Sequence, residues 1–148
     1  MTTASASGSG TAIAPETVQA YLESDYQIHD TPPFILRVET FSAALQQAHR
    51  ARHVNCSAFI TAWNPRSQLL DPATNHARQA ELQSDLAHRG LIFLQGAGSH
   101  PSCPADGEPG LLVFGLELEA GKALARRWDQ NALLWTGFDA VPRLILLR

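Results

Sequence analysis

Cys56-Ser57-Ala58-Phe59-Ile60-Thr61-Ala62-Trp63 runs directly into Asn64-Pro65-Arg66-Ser67, and the reading of this stretch decides the fold. The first part is mostly apolar and reads as a central strand buried on both faces. Asn64-Pro65 stops it. Asp71 then caps a helix and Pro72 takes its first position, where the missing N–H costs nothing. Leu82 and Leu86 mark the buried face of that helix. His88 and Arg89 complement its C-terminal dipole, and Gly90 ends it.

Outward from this unit the same signals recur. Upstream, Pro15 opens a helix with Val18, Tyr21 and Leu22 on one face. A short strand over Tyr26–His29 turns through Asp30-Thr31-Pro32-Pro33 into a strand Phe34–Glu39. Thr40 or Ser42 caps a second helix, with Phe41, Ala44, Leu45 and Ala48 as its apolar stripe. Downstream, Leu91–Gln95 is a strand. Residues 96–110 hold Gly96, Gly98, Gly107 and Gly110 with Pro101, Pro104 and Pro109, the composition of a surface loop. Leu111–Leu116 is a strand. Ala120, Ala123, Leu124 and Trp128 stripe a fourth helix, and Ala132–Trp135 and Leu144–Leu147 close the chain as strands. Strand–helix alternation of this kind predicts an α/β fold: a single layered domain with a mixed, partly parallel sheet flanked by helices. Its span is residues 13–148, after a small polar N-terminal tail at 1–12 that is expected to be disordered.

With 148 residues, 45% of them hydrophobic and 17% charged, the chain is long enough for one well-packed core. A net charge of −3 argues against non-specific nucleic-acid binding, which needs a basic surface. The two cysteines, Cys56 and Cys103, do not make a disulfide framework. The N-terminus lacks the basic start and apolar stretch of a secretory signal. No apolar run approaches the ~18 residues that span a bilayer. A cytoplasmic chain with reduced thiols fits these features, and no cofactor-binding motif is legible in them.

The helix opened by Asp71 carries an anomaly. At 100° per residue, Asn75 lies within about 20° of both Leu82 and Leu86. It therefore sits on the core-facing stripe in the first turn, where a buried amide must find partners. The N-terminal turn of a helix also favours anions, because its N–H groups are unpaired and the macrodipole is positive there. Arg66 in the turn and Arg78, near Asn75 on the helix, offer a bidentate clamp. The expectation is a polar pocket built by Asn64, Arg66, Ser67, Asn75 and Arg78 for a small anionic ligand, phosphate- or carboxylate-bearing, with nucleotide-like molecules among the candidates. The competing expectation is a non-catalytic interaction or regulatory module. In that case Asn64 shapes an Asx-turn, Asn75 bonds its own loop, and the motif is structural.

Phe59-Ile60-Thr61-Ala62-Trp63-Asn64-Pro65-Arg66-Ser67, followed by Asn75 and Arg78, resembles the core motif of a bacterial family catalogued as domain of unknown function 3293. Tyr21 and Tyr26 resemble its N-terminal pair of tyrosines. Glu108-Pro109-Gly110 resembles its Glu-Pro-Ser motif, with Gly110 where the family tends to have Ser. Gln130-Asn131-Ala132 resembles its Gln-Asn-Ala motif. The likeness covers roughly residues 17–136 in matching order. It implies a set of site residues and no reaction.

Glu108, at the end of the long loop, is the candidate general acid or base, provided it is desolvated near the pocket. Gln130 and Asn131 join the pocket if the strand they open runs antiparallel to Cys56–Trp63. His49 and His53 with Cys56 have a zinc-like spacing but lack a fourth ligand, and read instead as exposed histidines at a helix C-terminus. His100 and Cys103 form a second weak pair. No Gly-x-Ser-x-Gly elbow and no phosphate-binding glycine loop is present.

Overall fold

The computed structural model describes residues 10–148, so the tail expected at 1–12 lies mostly outside the described residues. Thr11 donates its hydroxyl to the carbonyl of Arg148 at 2.6 Å, tying the two ends together. The elements are α1 (Pro15–Glu23), β1 (Asp25–Ile28), β2 (Phe34–Leu36), α2 (Ala43–Ala51), β3 (Ser57–Ile60), α3 (Pro72–His88), β4 (Phe93–Ser99), β5 (Glu108–Phe114), α4 (Leu118–Arg127), β6 (Ala132–Thr136) and β7 (Arg143–Leu146). Their order and type are those read from the sequence.

Local chemistry explains the boundaries. Asp71 accepts from the Thr74 N–H at 3.1 Å and Pro72 takes the first position of α3. At the other end Gly90 has φ +73°, its N–H bonds the Ala87 carbonyl, and the Leu91 N–H bonds the Leu86 carbonyl. That is a Schellman cap, which needs a residue free to adopt the left-handed region. Ser42 caps α2 by accepting from the Leu45 N–H at 3.1 Å. Phe41 precedes that cap and is exposed rather than part of the α2 stripe.

The expected mixed, partly parallel sheet is not what forms. The seven strands order as β2-β1-β4-β5-β3-β6-β7, and every neighbouring pair is antiparallel. The sheet curls into a half-barrel. The reason lies in which strands become neighbours. Helices α3 and α4 each join two strands of the same direction, as alternation implies. The place between those strands is filled, however, by an antiparallel one: β5 inserts between β3 and β4, and β3 between β5 and β6. Both are split β-α-β units.

The β4–β5 hairpin that makes the insertion is longer than its composition suggests. Gly96, Gly98 and Ser99 are β4 residues, and Gly96 pairs with Gly110 of β5, so the loop shrinks to residues 100–107. Gly96 and Gly110 are needed there for close approach. A Cβ on Gly96 would lie 2.5 Å from the Gln27 carbonyl oxygen, and one on Gly110 would enter the Phe59 ring.

β3 is buried along its whole length, as expected of a central strand. Its alternation divides the core. Ala58 and Ile60 face α3 and α4, packing with Leu82, Leu86, Leu124 and Leu133. Phe59 faces the other way, with Ile28, Leu45, Leu112 and Leu134. Among the described residues no helix is long and apolar enough to cross a membrane.

Candidate functional site

Antiparallel pairing brings the C-terminal ends of β3 and β4 to the same sheet end as the N-terminal ends of β1, β5 and β6. A cavity of about 240 Å³ opens there, on the Phe59 side of the sheet. Helix α1 closes one wall with Ala20 and Tyr21, with Ser24 just past its end, and Phe59, Leu134 and Leu144 supply apolar surface. Tyr26 packs edge-on against Phe59, with ring centroids 5.5 Å apart.

Glu108 begins β5 and lines this cavity. Asn64 donates its side-chain amide to Glu108 Oε2 at 2.9 Å. Among the described residues the second carboxylate oxygen has no hydrogen-bond partner. Burial raises the Glu108 pKa above the ordinary carboxylate value, with the Asn64 hydrogen bond pulling in the opposite direction. No Lys or Arg side chain lines the cavity among the described residues.

Asn64 is the hinge between cavity and turn. It is buried and left-handed, with φ 43° and ψ 70°, a conformation that asparagine tolerates better than most residues. Arg66 and Ser67 follow with φ 55° and 60°, so three non-glycine residues of one turn hold positive φ. Asn75 fixes this turn from the first turn of α3. Its Oδ1 accepts the Asn64 N–H at 2.8 Å and its Nδ2 donates to Asn64 Oδ1 at 2.7 Å. Asn64 Oδ1 also accepts the Leu70 N–H at 3.0 Å. Asn75 does face the core, at 2% exposure, and its partners are the turn itself.

Both arginines are engaged elsewhere. Arg78 donates Nε to the Ala62 carbonyl at 2.8 Å and Nη2 to the Trp128 carbonyl at 2.6 Å. Its guanidinium lies 5.3 Å from the Trp128 ring centroid. Arg66 pairs with Asp129 at 2.8 Å on the surface, which holds the Asp129 carboxyl below its ordinary pKa. The N-terminus of α3 is occupied by the Asp71 carboxylate, so the anion clamp expected there is not assembled.

The remaining expected residues do gather. Ser67 stands at the rim with its hydroxyl 2.6 Å from Tyr21 Oη, and Asn131 donates to Tyr21 Oη at 3.2 Å. Gln130 lines the cavity and donates to the Trp63 carbonyl at 3.3 Å. Glu108, Asn64, Ser67, Gln130 and Asn131 thus share one site, whereas Arg66, Asn75 and Arg78 lie behind or beside it.

Sequence reasoning missed Tyr21, Tyr26, Phe59 and Thr61 as site residues. Tyr21 and Tyr26 had a signal in the tyrosine pair of the family resemblance. Tyr26 Oη donates to the Tyr21 carbonyl at 2.8 Å, and burial pushes its pKa up. Thr61 donates to the Pro109 carbonyl at 2.6 Å, locking the end of β3 to β5 beside Glu108.

The weaker candidates lie away from the cavity or on its edge. His49 is buried, not exposed, bonds Ser57 Oγ at 2.8 Å, and its pKa is lowered by burial. Among the described residues no group of three His, Cys, Asp or Glu side chains is placed to hold a metal ion. His100 sits at the cavity edge and bonds Glu23 of α1 at 2.8 Å. Cys56 is buried and Cys103 exposed, both as free thiols.

No curated protein and no solved structure matches this chain. The family described as protein of unknown function DUF3293 matches residues 60–133, half of the sequence, from the end of β3 through Asn64, Glu108 and Gln130 into β6, and the chain belongs to that family.

Proposed function

We propose that this chain binds a small polar ligand in the cavity beside Glu108, with that carboxylate as the anchoring group. The observation that supports this reading best is the arrangement of Glu108 itself. A half-buried carboxylate keeps one oxygen bonded to Asn64 and leaves the other open to a cavity walled by six strands and α1. A carboxylate oxygen that faces a cavity with no protein partner is free to accept a charge-assisted hydrogen bond from an occupant, so such an arrangement suits a site completed by a ligand. The cavity is smaller than the ~300–1,000 Å³ of sites for drug-sized molecules. Its occupant is a small metabolite, with apolar atoms on Phe59 and Leu134 and hydrogen-bond donors toward Glu108. Glu108 is also the group positioned to exchange a proton with that occupant.

The structural reading of the motif applies to its other half. Asn75 and Arg78 satisfy the turn and the Ala62 and Trp128 carbonyls, and so hold Asn64 in place. The phosphate or carboxylate ligand expected from the arginines meets no Lys or Arg in the cavity wall among the described residues. For that reason the proposal rests on Glu108 and not on the α3 N-terminus.

Thermal-shift screening of amines, alcohols, sugars, nucleotides and carboxylates tests this reading. A ligand at 100 times its Kd adds ~2.7 kcal/mol to stability. Ala20→Phe, placed on the outer wall of the cavity, is expected to abolish the shift given by any hit. Hits that persist unchanged in Ala20→Phe, or no hit at all, would count against it.

A further inference from the structure

The cavity has a charge character that its turn and helix neighbours conceal. Arg66 and Arg78, the nearby cations of the motif, are turned to Asp129 and to backbone carbonyls. What remains in the wall among the described residues is one carboxylate, Glu108, among the rings of Tyr21, Tyr26 and Phe59. Aromatic rings present negative potential on their faces and attract cations, the more so when water is excluded. A carboxylate with an unpartnered oxygen accepts a charge-assisted hydrogen bond, about twice as strong as a neutral one. A second carboxylate brought into this site would meet repulsion instead.

We propose that the ligand of this cavity carries a protonated amine, seated on the free Glu108 oxygen with its carbon skeleton against Tyr26 and Phe59. This rests on the cavity being a ligand site and names the class of ligand it selects. Burial penalises the charge of the Glu108 carboxylate and so raises its pKa. An ammonium group removes that penalty, whereas an alcohol of the same shape does not.

The consequence is a pH dependence with a definite sign. An alkylammonium stays charged through the neutral range, so affinity follows ionisation of Glu108. It is present above the raised Glu108 pKa and lost as pH falls through it. The other titratable groups that line the cavity are Tyr21 from α1, Tyr26 from β1 and His100 from the segment after β4. Tyr26 stays neutral, since its pKa is pushed up by burial. His100 is joined to Glu23 of α1 at 2.8 Å. A His100→Asn variant separates the two groups.

The test is calorimetric titration of the full chain with phenethylamine, 2-phenylethanol and phenylacetate, which share a ring and differ in charge. At pH 8 phenethylamine is expected to bind roughly tenfold more tightly than the alcohol, a difference of about 1.4 kcal/mol. Phenylacetate is expected to be weakest. The advantage of the amine should shrink on acidification in both the native chain and His100→Asn. It should vanish in Glu108→Gln, leaving alcohol binding in place. Should that variant not fold, the acidification series on the native chain carries the test.

Equal or tighter binding of the alcohol or the acid overturns the amine assignment and leaves the cavity as a ligand site. Loss of the pH dependence in His100→Asn overturns it as well. No binding of any of the three at millimolar concentration overturns it too, and the broad screen with Ala20→Phe then decides the cavity separately.

Discussion

Asn64 and Glu108, separated by 44 positions in sequence, are joined by a 2.9 Å hydrogen bond from the Asn64 amide to the Glu108 carboxylate. The bond links the turn after β3 to the first residue of β5. One side of Asn64 is held by Asn75 and the other holds Glu108 at the cavity. This relationship separates the part of the motif that builds the turn from the part that faces a ligand.

Glu108 is expected to destabilise the fold at neutral pH. Its pKa is raised in the folded state, so the stability it contributes is complete below the unfolded value and is lost as pH rises through the folded value. Glu108→Gln keeps an acceptor for Asn64 and removes the half-buried charge. Differential scanning calorimetry should show the variant melting higher than the native chain at pH 7–8, by roughly 2–4 °C for each kcal/mol recovered. The two should converge near pH 4. A variant that melts lower at pH 8 would show that the charge stabilises the fold. The expected gain is the mark of a residue kept for function at a cost in stability.

Asn75→Ala leaves the Asn64 N–H and side-chain oxygen without their short partners. Urea denaturation should show a loss of about 2–3 kcal/mol. Arg78→Lys is not conservative, because an ammonium cannot bridge the Ala62 and Trp128 carbonyls while covering the indole. Its expected loss is about 1–2 kcal/mol. A neutral result for both variants would remove the turn-holding role.

Gly110→Ser drives a Cβ into the Phe59 ring. Overpacking of this kind costs about 1–3 kcal/mol. Phe59→Leu in the same chain should relieve part of that cost, so the double-mutant cycle is expected to show positive coupling. Additive losses would mean that Phe59 is not what excludes a side chain at Gly110.

These residues also show what the sequence carries and what it does not. The order of helices and strands was legible because caps such as Asp71-Pro72 and Gly90 act locally. The pairing of strands was not, because it depends on the β4–β5 hairpin. Gly96 and Gly110 read as loop residues by composition, yet they are strand residues stripped of Cβ to admit Gln27 and Phe59. In the site, the core-facing position of Asn75 was legible, whereas the gathering of Gln130 and Asn131 with Asn64 and Glu108 depended on strand direction, which the sequence left open. The directions of Arg66 and Arg78 were not legible. Helical spacing places Arg78 near Asn75, but the Ala62 and Trp128 carbonyls that capture it come from distant parts of the chain.

Cys56 and Cys103 should differ sharply toward alkylation. Burial and the neighbouring Glu117 carboxylate push the Cys56 thiol up to about 11, so little thiolate forms at pH 8. Cys103 is exposed. Mass spectrometry after iodoacetamide treatment of the folded chain should find Cys103 modified and Cys56 protected, with both modified in denaturant. Rapid modification of native Cys56 would contradict this environment.

The location of the ligand site is tested most directly by amide chemical-shift mapping of the chain with a compound that raises its melting temperature. A second cavity lies where β3 begins, lined by Cys56, Glu117, Trp135 and Phe138, at the opposite end of that strand from Glu108. The expected result is shifts concentrated on Tyr21, Asn64, Gly98, Glu108 and Asn131, with Cys56 and Phe138 unmoved. Shifts confined to Cys56, Trp135 and Phe138, with Glu108 and Asn64 silent, would contradict the account.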